Sequence, residues 1–169
     1  FSSAEPFRQG VATMFGNCQA MGLDTVIAAV RPFGDALYQS SLFPYSHVMN
    51  GTQGQDPGFD PLAIMVQQAH ARGLRLEAWV NPYRLQHPTN GPSELAADNP
   101  AVVNPGWART VGGEQWYDPG VPEVRQLVVD GVLEIIRNYQ VDGIYFDDYF
   151  YPEAADETFD AETFAARQE

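Results

Sequence analysis

The sequence predicts an α/β protein of the (β/α)₈ barrel class, present as a fragment of about three strands with their helices. Two observations carry that expectation. Three near-continuous apolar runs, Asp24–Arg31 (DTVIAAVR), Arg75–Asn81 (RLEAWVN) and Val141–Asp148 (VDGIYFDD), each follow a helical pattern. Runs of this kind suit parallel strands buried on both faces. The joins are also unequal. Helix-to-strand connections are the short "MGLD", "RGLR" and "YQVD", whereas strand-to-helix connections run to about 28 residues after Arg31 and about 40 after Asn81. Short joins at one end and elaborate loops at the other are the barrel's signature, and its sites lie at the carboxyl ends of the strands. A doubly wound open sheet is the alternative. No glycine-rich phosphate loop follows any of the three runs, which argues against it.

Each element has a local reason. The first helix spans about Glu5–Met21, with Ser2 and Glu5 at capping-box spacing and Pro6 in the first turn. Gly22 and Gly73 are placed to end the first two helices in the left-handed conformation. The second helix starts at Asp60-Pro61, a cap followed by a first-turn proline, and its apolar face is Leu62, Met65, Val66 and Ala69. The third starts near Pro122 and carries a stripe of Val124, Leu127, Val128, Val132, Ile135, Ile136 and Tyr139. A whole barrel needs about 250 residues and eight strands. The 169 residues here are therefore expected to cover about strands two to four, with the first strand and the last four missing.

Composition bounds the function. Hydrophobic residues make up 44% and aromatics 12%, enough for a core. The net charge of −13 repels phosphate backbones, so nucleic acid is not an expected partner. No apolar run is long enough to span a membrane. A single cysteine, Cys18, cannot form an internal disulfide and reads as a buried structural thiol. Asn50 begins an "NGT" sequon, a frequent chance match.

The strand ends gather the polar residues. The first end, "VRPFGDALYQSSLFPYSH", carries Arg31, Asp35, Tyr38 and His47. The second, "WVNPYR", carries Trp79, Asn81, Tyr83 and Arg84. The third, "VDGIYFDDYFYP", carries Asp147, Asp148, Tyr149 and Tyr151. Carboxylates, an amide, arginines and aromatics on one rim describe a polysaccharide site. Sugar hydroxyls take polar partners, and the C–H faces of the ring pack on aromatics. Arg31 either clamps a carboxylate or neutralises Asp147 or Asp148 within the barrel. Trp79 suits the core as well as a sugar platform. Asp142, at the opposite end of its strand, reads as structural, and so does His70 at a helix C-terminus.

Asp147 and Asp148 are the candidate catalytic pair. Strand neighbours point to opposite faces, so one turns to the barrel mouth and the other to the loop or helix layer. Asp147 is favoured as the inward residue, with Tyr145 and Tyr149 on its side; Asp148 then orients loop residues or binds a sugar hydroxyl. Glycoside hydrolysis needs two carboxyl groups across the scissile bond, and partial burial beside tyrosines is a means of tuning one of them. No cofactor is required. The three histidines, His47, His70 and His87, are too scattered for the metal site of a carbohydrate deacetylase. A chitinase-type D-G-x-D-x-D-x-E strand is also disfavoured, because Tyr145 and Tyr149 stand where its second Asp and its Glu would be. A glycan-binding barrel without chemistry remains an alternative.

The long segment from "VRPFGDALYQSS" to "WVNPYR", together with "NPAVVNPGW", "YDPGVPEVR" and "DGIYFDDYFYP", resembles the bacterial glycosyl-hydrolase-like family ten. That resemblance implies a (β/α)₈ barrel of the cell envelope, outside the cytoplasm, with its site around the fourth strand. The activity it implies is cleavage of peptidoglycan glycan strands stripped of peptides. It also implies that the opposing carboxylate comes from a later strand.

Overall fold

The structure is a computed structural model that describes residues 3–147 and 151–166. Asp148 and Tyr149 lie outside the described residues. So does Ser2, and with it the predicted capping box. Helix α1 spans Ala4–Ala20, with Ser3 at its N-cap making no side-chain cap bond. Strand β1 (Thr25–Arg31), helix α2 (Pro61–His70) and strand β2 (Arg75–Val80) follow. Beyond a long excursion come helix α4 (Pro122–Asn138) and strand β6 (Gly143–Tyr145). The third strand is thus shorter than the predicted Val141–Asp148.

The three strands are parallel, in the order β1-β2-β6. Gly22 (φ 78°) and Gly73 (φ 70°) do end α1 and α2 in the left-handed region. Leu23 N–H and Leu74 N–H reach back to the carbonyls of Cys18 and Ala69, which closes both ends tightly. Asp60 caps α2 through Ala63 N–H at 3.0 Å and also accepts from Tyr139 Oη. At the strands' amino ends, Asp142 accepts from Leu76 N–H and from His70 Nε2, both at 2.8 Å. It is the structural clip expected of it.

One face of the sheet is the core. Val26 and Val30 of β1 and Leu76, Ala78 and Val80 of β2 are buried under the helices. Leu62, Met65, Val66 and Ala69 of α2 pack there as predicted, and Cys18 packs against the same cluster. On α4 the stripe is narrower than predicted. Val124, Gly131 and Ile135 are buried, but Ile136 is 50% exposed. The register Ala29↔Trp79↔Tyr145 sets those three residues on the opposite, open face. Ile27 and Tyr145 on that face are 52% and 38% exposed.

The excursion after β2, read from sequence as loop, holds a second sheet. Strands β3 (Arg84–Gln86), β4 (Ala108–Val111) and β5 (Glu114–Tyr117) are antiparallel in the order β3-β5-β4. A short helix α3 (Pro100–Val103) and a 3₁₀ turn at Pro105–Trp107 connect β3 to β4. A helix of one turn, α5 (Ala161–Ala165), ends the described chain. Leu85, Ala101, Tyr117, Val121 and Val124 form a second small core that joins this sheet to α4.

Candidate functional site

The carboxyl ends of the parallel strands open onto the second sheet. Between β3, β4, β5 and the segment after β6 lies a cavity of about 310 Å³. Arg84, Trp116, Glu114 and His87 line one side, and Tyr151 and Glu153 the other. Arg84 and Trp116 are cross-strand partners, with the guanidinium carbon 5.3 Å from the Trp116 ring centroid. Phe33 stands on another side of the same guanidinium at 5.9 Å. Glu114 holds Trp116 Nε1–H at 2.8 Å and lies 3.3 Å from His87 Nε2. Thr89 N–H donates to His87 Nδ1, which leaves Nε2 as the nitrogen that faces Glu114.

Of the predicted site residues, Arg84 and Tyr151 face this cavity. Tyr151 packs edge-on against Phe159 at 5.1 Å. Trp79 sits half-buried on the open sheet face beside Tyr145. Asp147 is half-buried, two residues past Tyr145 at the end of β6. Asn81 is buried, and its side-chain oxygen accepts Tyr83 N–H and Arg84 N–H, so it sets the turn that delivers Arg84. Tyr83 packs on the second core.

Arg31, Asp35 and Tyr38 lie deeper than the rim where substrate contact was expected. The pairing slips between Ala29 and Arg31, which sets Arg31 opposite Val80 on the helix-facing side. Arg31 is fully buried, its guanidinium carbon 3.8 Å above the Phe43 ring. Burial pulls its pKa down, against Tyr38, Tyr117, Asp35 and Glu134, which favour the cation. None of its three guanidinium nitrogens hydrogen-bonds among the described residues. Tyr38 is buried edge-on to Tyr139 at 5.6 Å.

Asp35 is the centre of a buried polar network that ties the first rim loop to the excursion. It accepts from Phe33 N–H at 3.1 Å, Gln53 Nε2 at 3.3 Å and His47 Nδ1 at 3.4 Å. Gln53 Oε1 accepts in turn from Asn99 Nδ2 at 3.1 Å and Ala96 N–H at 2.9 Å. His47 Nε2 meets the Asn90 carbonyl at 3.2 Å, and Asn90 is a wall of the cavity. Both ring nitrogens of His47 therefore face acceptors. Its hydrogen bond to Asp35 raises its pKa, with burial opposing and the Asn90 carbonyl assisting. The network makes His47 a support of the cavity wall, one layer behind it.

Sequence reasoning missed Glu114, Trp116, Gln53 and Asn99. The signal for the first two was "VGGE": Gly112 (φ 59°) and Gly113 (φ 81°) make the two-residue turn of a hairpin. No group of three or more metal-ligating side chains is assembled among the described residues.

A parallel sheet with elaborate loops and a polar cavity beyond its carboxyl ends is the arrangement of a (β/α)₈ barrel rim. The glycosyl hydrolase-like 10 family model matches residues 7–168, and the chain belongs to that family. It is 39% identical over 150 residues to "Glycosyl hydrolase YngK" of Bacillus subtilis (strain 168), which covers 89% of this chain and 29% of that relative. It is 38% identical over 161 residues to "Glycosyl hydrolase DigH" of Escherichia coli (strain K12), which covers 90% of this chain and 37% of the relative. The chain thus spans about a third of the length of the curated relatives it matches. Among solved structures, α-L-fucosidase isoenzyme 2 from Paenibacillus thiaminolyticus superposes with a TM-score of 0.61 at 16% identity, covering 95% of this chain and 22% of that one. A Thermotoga maritima α-fucosidase in complex with fucose gives 0.53 at 16% identity, covering 96% and 33%. The fold is that of the TIM-barrel glycosidases.

Proposed function

We propose that the chain carries the acid-bearing rim of a glycoside hydrolase that cleaves peptidoglycan glycan strands freed of their peptides, outside the cytoplasm. The observation that carries this reading is Asp147. It stands half-buried at the carboxyl end of β6, following the strand that sets Tyr145 beside Trp79 on the open face. The family supports the reaction class, and the long resemblance supports the substrate.

Cleaving an acetal requires one carboxyl group to protonate the departing oxygen and a second to attack or to activate water. Asp147 takes one of these roles. Asp148 orients the rim or binds a sugar hydroxyl, and Tyr149 and Tyr151 offer ring faces to the sugar. Arg31, Asp35 and Tyr38 act from below as positioning residues.

The test is turnover of denuded glycan strands by the full-length protein, followed as new reducing ends. The Asp147→Asn variant is expected to lose turnover by roughly a thousandfold or more while glycan binding persists. A variant that cleaves at the normal rate removes Asp147 from the chemistry. A full-length protein that binds the strands and never cleaves them is a glycan-binding barrel instead.

A further inference from the structure

We infer that Arg84 reads a carboxylate on the substrate, so that the cavity selects an acidic sugar unit. This rests on the glycan-strand reading above and adds what distinguishes a stripped strand from an intact one.

The cation is held at a cavity wall and left unused. Its Nε is buried without a hydrogen-bond partner, and no ion pair reaches its guanidinium among the described residues. The Phe33 and Trp116 rings flank it, and the turn set by Asn81 fixes its backbone. The guanidinium is a planar N–H fork whose Nε–H has no partner among the described residues, the geometry that takes a carboxylate through two parallel hydrogen bonds.

The other charges of the cavity do not fill that role. Glu114 already holds Trp116 Nε1–H and faces His87 Nε2. Glu153 is exposed, so water and salt screen it. Tyr151 across the cavity offers a ring face to the sugar that bears the carboxylate.

In peptidoglycan the stem peptide is joined as an amide to a lactyl ether on alternate sugars. Hydrolysis of that amide leaves a free carboxylate on the glycan. An arginine in a cavity flanked by aromatic rings therefore separates stripped strands from peptide-bearing ones by charge as well as bulk. An amide-hydrolysing reaction must come first to supply the substrate.

The experiment uses the full-length protein and two forms of denuded glycan: native, and with its carboxylates coupled to methylamine as neutral amides. Binding is measured by calorimetry and cleavage by reducing ends. Wild-type protein is expected to bind the amidated form at least roughly tenfold more weakly, the size of a charge-assisted hydrogen bond. Arg84→Gln should lose the same factor on native glycan and nothing further on the amidated form, with Arg84→Lys intermediate. Equal wild-type binding of both forms overturns the inference, and so does an Arg84→Gln loss that is the same on both. Discrimination in binding without any cleavage upholds it and sinks only the hydrolase reading. Binding to neither form sinks both.

Discussion

Gly131 of α4 and Arg31 of β1 meet in the interior so closely that a Cβ on Gly131 would stand 2.3 Å from Arg31 Nη1. The same Cβ would lie 2.8 Å from the Phe43 ring. A flexible arginine would normally swing aside. Here it is fully buried and lies flat on Phe43, so it has nowhere to go. The absent side chain is what lets α4 close over a buried cation.

Gly131→Ala is accordingly expected to destabilise the protein. Alanine gains up to about 1 kcal/mol in helix propensity over glycine. Overpacking a closed interior costs about 1–3 kcal/mol, and the clash with two groups puts this site at the upper end. Urea unfolding of the full-length variant should show a net loss of about 1–2 kcal/mol. A gain in stability would mean that Arg31 moves freely.

Asp35 and His47 give a pH-dependent prediction. The folded-state pKa of His47 is raised, chiefly by its bond to Asp35. The linked stability is therefore fully present below the ordinary histidine value and is lost as pH rises through the raised one. Asp35→Asn should bring the His47 pKa back down, read from its ring proton shifts by NMR, and flatten that part of the stability profile. Replacing one of the two buried acceptor oxygens by an NH₂ donor should cost about 1–3 kcal/mol. An unchanged His47 titration would remove Asp35 as the cause.

Asp142 titrates with the opposite sign. Leu76 N–H, followed by His70, holds its carboxyl below the usual range. Its contribution is present above the unfolded value and is lost as pH falls through the lowered one. Asp142→Ala should cost about 1 kcal/mol, at the low end because solvent reaches the group. It lies at the end of the strands away from Asp147, so glycan turnover at neutral pH should stay within a factor of about two of wild type. A large loss of turnover would show that this clip positions the far end of β6.

The parallel frame was legible because its signals are local: Gly22, Gly73 and the Asp60-Pro61 cap each need only their neighbours. The second sheet was not, because three- and four-residue strands leave too little alternation to detect. Only the Gly112-Gly113 turn betrayed it. Arg31 reads as a rim residue from its place at the end of the first apolar run. The slipped pairing after Ala29 turns it to the other side, and nothing local in "AAVRPFG" announces that slip. Asp35 and Tyr38 follow it inward because the chain folds back on itself, with Leu37 N–H bonded to the Val30 carbonyl and Ala36 bridged to Tyr45. Arg84 and Tyr151 were legible from residue type and their place beyond the strand ends, but the partners that make their cavity come from the short strands of the second sheet.

Tyr151 tests whether that cavity grips sugar. Its ring meets the buried Phe159 edge-to-face, and the residue is 45% exposed and lines the cavity. A ring held by a neighbour and reached by solvent is a platform for the C–H face of a pyranose. Tyr151→Phe keeps the ring and should bind glycan within about twofold of wild type, whereas Tyr151→Ala removes about 0.5–1.5 kcal/mol of packing, or roughly two- to twelvefold in Kd. Calorimetry on the full-length variants with native denuded glycan reads both. If the phenylalanine variant loses as much as the alanine variant, the hydroxyl and its bond to Asp160, rather than the ring face, are what binding needs. If neither loses affinity, the glycan lies elsewhere on the rim.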